Sequence, residues 1–400
     1  MNFVGIVAEF NPLHNGHFAH ITETRAKTGC KYIVAVISGN FVQRGEPAIC
    51  NKLLRTKMAL LHGVDLVIEI PVQYVISGAD YFARGSVALL NATGVMDALC
   101  FGSESGNITE ITEAGRILAT EPELYKATLR ESLDNGLSFA AAKGAALKAC
   151  FKSEPSDGLL NLPNNGLAME YCKALELLGN PMQVFTTHRV PGGPSATNIR
   201  NTLTGKIKKP SDTKIVSDEN LSLPEKVEDI LRGVRKFVHL DDFSDAFRYM
   251  LYSESKIVDG LSEGLGNRFR KMCGEYSQIF DLLAAVKTKR YTFTRLQRTV
   301  LQILLNISSE DMAEFEQAGG VQYIRVLGFR KEASDLLGEI TRKAKLPVIT
   351  HGEAMDEILR GNDMAAKMLN QELMAGDVYR LASGESGGYR SERGAGIVVV

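Results

Sequence analysis

The sequence holds no apolar run approaching the ~18 residues that a membrane-crossing helix needs. Its first residues, MNFVGIVAEF, carry no basic flank and too short an apolar stretch for a secretory signal. A cytoplasmic protein with no membrane partner is expected. Cysteine is scarce: Cys30, Cys50, Cys100, Cys150, Cys172 and Cys273 are scattered without a CxxC or any tight pairing. Set among apolar neighbours, they read as reduced core thiols, not as a disulfide framework. An excess of one charge is missing too, since the formal net charge is −1. No global field draws nucleic acid to the chain, so any such contact needs a local patch.

What the chain does have is enough apolar residue to build a large core. Its 400 residues are 44% hydrophobic and 23% charged, and the length favours more than one domain. Short β-branched runs recur at 3–10 (FVGIVAEF), 32–39 (YIVAVISG), 65–71 (DLVIEIP) and 97–103 (DALCFGS). Between them HFAHITETRAKTG and NKLLRTKMALLHG space their apolar residues as helices do, each with a glycine at its end. The alternation predicts an α/β fold, a doubly wound, Rossmann-like parallel sheet. Helical segments follow from about 107 to 178, then a strand-like QVFTTHRV at 183–190. The polar GKIKKPSDTKIVSDENLSLPEK, 205–226, reads as a linker between an α/β domain, 1–204, and a mostly helical domain, 227–400. The glycine-rich LASGESGGYRSERGAG near the end is expected to be mobile.

Two of only seven histidines stand three apart in VAEFNPLHNGH, at the exit of the first predicted strand. In an open α/β sheet, ligands bind beyond the carboxyl ends of the strands, so this turn is where chemistry is expected. Gly16 lets backbone approach a ligand, and His17 falls in a first helical turn, where free N–H groups and the dipole favour anions. His14 and His17 can then converge on a phosphate chain and stabilise charge on the α-phosphate and departing pyrophosphate. The alternative is a pair of helix-capping histidines beside a tight turn.

The segment Phe10-Asn11-Pro12-Leu13-His14-Asn15-Gly16-His17 resembles the signature of the HxGH nucleotidyltransferase superfamily. Ser195-Ala196-Thr197-Asn198-Ile199-Arg200 resembles that superfamily's second element, in which small hydroxyl residues cap a helix facing the β- and γ-phosphates and Arg200 contacts them. Superfamily membership implies ATP and an adenylylation without naming the acceptor. Further segments resemble one family within it, the bacterial tRNA(Met) cytidine acetate ligases. They are Ser38 to Ala48, Lys52 to Leu60, Asp65 to Pro71, Phe82 to Ser86, Phe101 to Glu104, Pro163 to Leu167, Lys287 to Arg298 and Tyr323 to Gly328.

That resemblance implies an ATP-dependent ligase. Acetate becomes acetyl-adenylate and then acetylates the exocyclic amine of the wobble cytidine of elongator tRNA(Met), with Mg²⁺ on the nucleotide and no protein metal site. Position by position, the ATP site falls on Val7, Ala8, Glu9, Phe10, Asn11, Pro12, Leu13, His14, Asn15, Gly16, His17, Phe18, Ala19, His20, Gly102, Asn164, Arg189, Ser195, Thr197 and Arg200, with His14 and His17 catalytic. Asn165 is by composition as plausible a ligand as Asn164. Glu9 stands where dinucleotide-forming relatives carry a hydroxyl residue. It would face a metal, a ribose hydroxyl or the incoming amine, and it weighs against a phosphorylated acceptor. Gly166 and Pro194 also depart from the pattern.

On the RNA side, KTKRYTFTRLQR offers Lys287, Lys289, Arg290, Arg295 and Arg298 to phosphates. Tyr291 and Phe293 are left either to stack on bases or to enter the core. Arg44, Lys52 and Arg55 are expected to guide RNA or ATP to the pocket, as is Arg84 unless it makes a structural ion pair. The alternatives are a small-molecule adenylyltransferase that makes a dinucleotide cofactor and a non-catalytic nucleotide- or RNA-binding module.

Overall fold

The computed structural model describes residues 1–189, 196–204, 222–253, 256–259, 261, 264–288, 291–361, 363–384 and 392–400. In chain order its strands are β1 (Phe3–Ala8), β2 (Tyr32–Ser38), β3 (Phe41–Val42), β4 (Glu46–Pro47), β5 (Leu66–Ile70), β6 (Ala98–Ser103), β7 (Gln183–His188), β8 (Ile324–Phe329), β9 (Val348–Ile349) and β10 (Val398–Val399). Among the described residues eight of them form one sheet in the order β10-β8-β5-β2-β1-β6-β7, with β9 also on β8. β3 and β4 make a separate antiparallel hairpin.

Each of the five strand segments expected from the N-terminal half is a strand. β5, β2, β1, β6 and β7 are mutually parallel neighbours. Every residue of β2 (YIVAVIS) and β5 (LVIEI) is buried, the signature of strands covered on both faces. Val34, Val36, Leu66 and Ile68 enter one core cluster, while Ile33, Ala35, Ile37 and Val67 enter another. β2 and β5 lie to one side of β1, and β6 and β7 to the other. The order of winding therefore reverses between β1 and β6, which places a ligand crevice at their carboxyl ends.

The C-terminal half is mostly helical, as expected, but it also joins the sheet. It is helical from Glu225 to Gln317 and then returns to the sheet. There β8 pairs antiparallel with β5, and β9 and β10 pair with β8. Left alone, β5 would be a bare apolar edge, and β8 covers it. Residues 205–221 of the expected linker lie outside the described residues. Just beyond them Leu223, Val227 and Leu231 are buried in the cluster that holds Ile49 and Met58. Of the glycine-rich tail, 385–391 lie outside the described residues, but Glu392 is 2% exposed and β10 follows it. All six cysteines are free, and among the described residues no helix is long and apolar enough to cross a membrane.

Two of the expected guiding cations are core residues: Lys52 is 1% and Arg55 0% exposed. Lys52 Nζ lies 2.5 Å from Glu69 Oε1, 2.6 Å from Glu392 Oε1 and 3.8 Å from Glu372 Oε1. Arg325 lies 3.1 Å from both Glu69 and Glu392. This cluster explains the carboxylate in the apolar run LVIEI and ties the helix Lys52–Leu61, β5, β8, the helix Met364–Ser383 and the tail together. Arg84 is likewise structural, since it pairs with Glu316, which also accepts from Tyr74 Oη.

Lys52 and Arg325 face Glu69, Glu372 and Glu392 there, with Arg380 3.7 Å from Glu392 at the margin, and the carboxyls divide the positive charge unequally. Burial alone would raise Glu69, but Lys52 and Arg325 hold it below the ordinary range. Burial and the charge on Glu69 push Glu372 well above it. A native acid that holds its proton more tightly than the unfolded chain contributes stability below about pH 4.5, and that contribution fades as pH rises toward the native value. Glu372→Gln should therefore match the parent in urea unfolding near pH 5 and become progressively the more stable of the two toward pH 8. Glu69→Gln should cost about 3–5 kcal/mol throughout, because it strands buried cations.

Candidate active site

β1 delivers the chain to the crevice, and the turn that follows is fastened on every side. Phe10 is fully buried at φ +48°, an αL conformation rarely taken by a bulky residue, and the Asn11–Pro12 peptide is cis. Asn11 Oδ1 accepts from Ile49 N at 2.8 Å, and the Asn11 carbonyl accepts from Arg200 Nη1 at 3.0 Å. That second contact spans 189 residues and joins the two sequence elements singled out above. Arg200 Nη2 reaches Glu46 Oε2 and Thr197 Oγ1, each at 3.3 Å. The other oxygen of Glu46 accepts from Gln297 Nε2 at 3.1 Å, so one carboxylate on the β3–β4 hairpin links Arg200 to the helix Phe293–Leu304.

His14 is the N-cap of the helix Asn15–Thr28. Its Nδ1 accepts from Gly16 N at 3.1 Å, and His17 Nδ1 accepts from His14 N at 3.3 Å, a capping box built from two imidazoles. The first-turn N–H groups are therefore taken: Asn15 N donates to the Ser222 carbonyl and His17 N to that of His14. The free donors expected there for an anion are absent, and another pair takes their place. An Nδ1 that accepts leaves the proton of a neutral imidazole on Nε2. His14 Nε2 is buried without a partner, as is Asn11 Nδ2. Capping and ligand binding are thus compatible, because each ring caps through one nitrogen and presents the other.

Burial, assisted by the Arg189 charge, brings His14 down to about 4. Burial first, then His14, Arg189 and His20, hold His17 well below the ordinary value. His20 also falls to about 4 by burial, and its Nδ1 lies 2.6 Å from Thr187 Oγ1 on β7. At neutral pH the site offers neutral N–H donors.

The remaining expected residues divide by position. Val7 and Ala8 end β1. Phe10, Pro12 and Leu13 are buried and shape the turn from beneath, whereas Asn15, Gly16, Phe18 and Ala19 are exposed on the helix. A Cβ built on Gly102 would meet only Thr187 Oγ1, at 3.8 Å, so open space lies above the end of β6. Arg189 Nη1 donates to Asn164 Oδ1 at 3.1 Å, which brings these two together. Asn165 is fully buried, and its amide is committed to Glu104 N, Ser105 N and the Gly158 carbonyl. Asn164 is half-buried, and its amide is shared between Glu104 and Arg189.

Glu9 is held at the end of β1 by a backbone contact. Its Oε1 accepts from Gln43 N at 2.7 Å, and burial raises its pKa against the pull of that N–H and of Arg44, Arg200 and Arg55. Ser195 and Pro194 lie outside the described residues. Thr187 was not singled out, and Glu46 and Glu104 entered the sequence reading only within segments carrying the resemblance, with no role assigned; Glu104's place directly after a strand that ends at the crevice could have flagged it.

Of the basic stretch, Lys289 and Arg290 lie outside the described residues. Lys287 and Arg295 are exposed, with Arg295 4.9 Å from the centre of the Tyr291 ring. Arg298 is half-buried and donates to the Gln43 carbonyl at 3.4 Å. Tyr291 is buried, and Phe293 packs on Phe280 with ring centres 5.0 Å apart, so both aromatics serve packing.

Neutral histidines have a measurable consequence. Long-range ¹H–¹⁵N spectra of the ATP-free protein at pH 6 should show His14 and His17 uncharged and protonated on Nε2. Either ring titrating near 6.5 would contradict this assignment. Because the native pKa values lie below the unfolded one, unfolding free energy should fall as pH drops from about 6.5 toward 4, and His14→Ala should flatten that slope.

A HIGH Nucleotidyl Transferase family model matches residues 1–392. The chain is 37% identical over 390 residues to the tRNA(Met) cytidine acetate ligase of Thermoanaerobacter sp. (strain X514), covering 96% of each. It is 39% identical over 394 residues to that of Caldanaerobacter subterraneus subsp. tengcongensis, again covering 96% of each. The crystal structure of Thermotoga maritima TmcAL bound with alpha-thio ATP matches it with a TM-score of 0.87 at 33% identity over 96% of both chains. With the histidine turn and the Arg200 helix joined at the switch point, the chain belongs to the tRNA(Met) cytidine acetate ligase family of the HIGH nucleotidyl transferases.

Proposed function

We infer that this protein activates acetate with ATP and transfers the acetyl group to the exocyclic amine of the wobble cytidine of elongator tRNA(Met), in the cytoplasm. The observation that carries the reading is the buried, unpartnered Nε2 of His14, on a turn whose next anchor is Arg200. A buried donor without a partner calls for a ligand acceptor, and the oxygens of a triphosphate supply one.

In the first half-reaction an acetate oxygen attacks the α-phosphorus, the bond to the β-phosphate oxygen breaks, and pyrophosphate leaves. His14 and His17, neutral, donate Nε2–H to phosphate oxygens as charge builds on them, without transferring a proton. Arg200 and Thr197 receive the outer phosphates, and Arg189 and Asn164, beside Gly102, receive the nucleoside end. In the second half-reaction the cytidine amine attacks the acetyl carbon, the bond to the adenylate oxygen breaks, and the amine gives up a proton. No thiol is needed, which agrees with cysteines raised by burial, Cys50 and Cys100 to about 11. Mg²⁺ would enter with the nucleotide, bound through its phosphates. Of the basic stretch, Lys287 and Arg295 are exposed, with Lys289, Arg290 and Arg298 alongside them in sequence.

Acetate-dependent exchange of pyrophosphate into ATP, and label from acetate in one tRNA species, test this reading. Exchange only with a phosphorylated acceptor would favour a dinucleotide-forming adenylyltransferase, and no exchange would favour a binding module. His17→Ala should abolish exchange while tRNA binding stays within about twofold. Lys287→Ala with Arg295→Ala should lower the salt dependence of tRNA binding by about one unit of slope per residue; an unchanged slope would move the RNA elsewhere.

A further inference from the structure

We propose that Glu104 is a positioning residue for the nucleotide, orienting Asn164 and through it Arg189. The inference rests on the reading of those two residues as ATP ligands. Glu104 is the first residue after β6, half-buried at the switch point. Its Oε1 accepts from Asn164 N at 3.2 Å and from Asn164 Nδ2 at 2.6 Å, and its Oε2 accepts from Asn165 N at 2.8 Å. Asn165 Oδ1 returns the contact, accepting from Glu104 N at 2.9 Å and Ser105 N at 3.1 Å.

Two consequences follow. The helix Pro163–Leu177 has no side-chain cap at Leu162 and no N–H at Pro163, and Glu104 occupies its next two N–H groups. That helix terminus is therefore closed to a phosphate by a carboxylate, and ligand contact is left to side chains. The second concerns the Asn164 amide, which has two ends that are nearly equal in shape and opposite in chemistry. With its NH₂ held by Glu104, its oxygen must face the other way, where it accepts from Arg189 Nη1 at 3.1 Å. The guanidinium of an otherwise exposed arginine is thereby held where its charge acts on His14, His17 and His20. A glutamine at 104 could still accept from Asn164 but would turn its own NH₂ toward the Asn165 N–H, so the paired geometry depends on the carboxylate.

A bare helix cap would show up as lost stability, insensitive to what stands at 164. A positioning residue shows up in ATP affinity, and only while Asn164 is present. ATP dissociation constants in the absence of acetate, acetylation kinetics and melting temperatures should be measured for Glu104→Gln, Asn164→Ala, Arg189→Ala and the double variant Glu104→Gln/Asn164→Ala. Glu104→Gln is expected to weaken ATP about 10-fold, leave kcat at saturating ATP and KM for tRNA within about twofold, and have almost no further effect on Asn164→Ala. Unchanged ATP affinity in Glu104→Gln, or effects that simply add in the double variant, would overturn the proposal while the ATP site stands. Unchanged affinity in both Asn164→Ala and Arg189→Ala would overturn the ATP site itself, and this proposal with it.

Discussion

One buried guanidinium holds the carboxyl end of the sheet together. Arg55, fully enclosed, donates to the carbonyls of Glu9 at 2.5 Å, Ser38 at 3.0 Å and Cys50 at 3.3 Å, and also to that of Gly39. Those carbonyls belong to the chain leaving β1, the chain leaving β2 and the approach to the helix Lys52–Leu61. Strand ends carry acceptors that no sheet ladder satisfies, and a buried cation needs several of them at once. Each requirement meets the other, and the turn bearing His14 starts from a fixed point. Burial lowers the pKa of Arg55, but an arginine stays charged over any working pH.

From that anchor the site is assembled by contacts that are short in space and long in sequence. Asn11 is tied to Ile49 and Arg200, Glu46 to Arg200 and Gln297, and His20 to Thr187. Glu46 thus joins Arg200 to the helix that bears Arg295. Donors held neutral by burial suit a reaction in which charge grows on phosphate oxygens, because they stabilise it without first surrendering a proton to solvent. The same preorganisation explains a bulky residue at positive φ directly before the turn, a strain that the surrounding contacts overcome.

β1, β2, β5 and β6 were legible because each is a short, mostly apolar run, the pattern left by burial on both faces, whereas β7, QVFTTH, is polar and partly exposed. The histidine turn was legible because its residue types are unusual at that spacing. β8 was not read as a strand: YIRVLG is short and carries an arginine, and only the acidic cluster of Glu69 and Glu392 makes that arginine a core residue. Lys52 and Arg55 were misread for the same reason, since a cation near a strand end looks like a surface group until its acceptors are known. Glu9 and Asn165 were ambiguous because a short polar side chain has several plausible partners, and the choice lies in residues far along the chain.

By itself the sequence determined the strand succession of the N-terminal half and the place of the crevice, because periodicity and local residue chemistry are written within a few residues of one another; the pairing of the histidine turn with the Arg200 helix was implied by the resemblance. Only the tertiary structure decided which nitrogen of each imidazole caps the helix, which of two adjacent asparagines is buried, which cations are core, and that the C-terminal half returns to complete the sheet. Those outcomes depend on desolvation and on partners tens to hundreds of residues away, quantities that exist only once the chain has closed on itself.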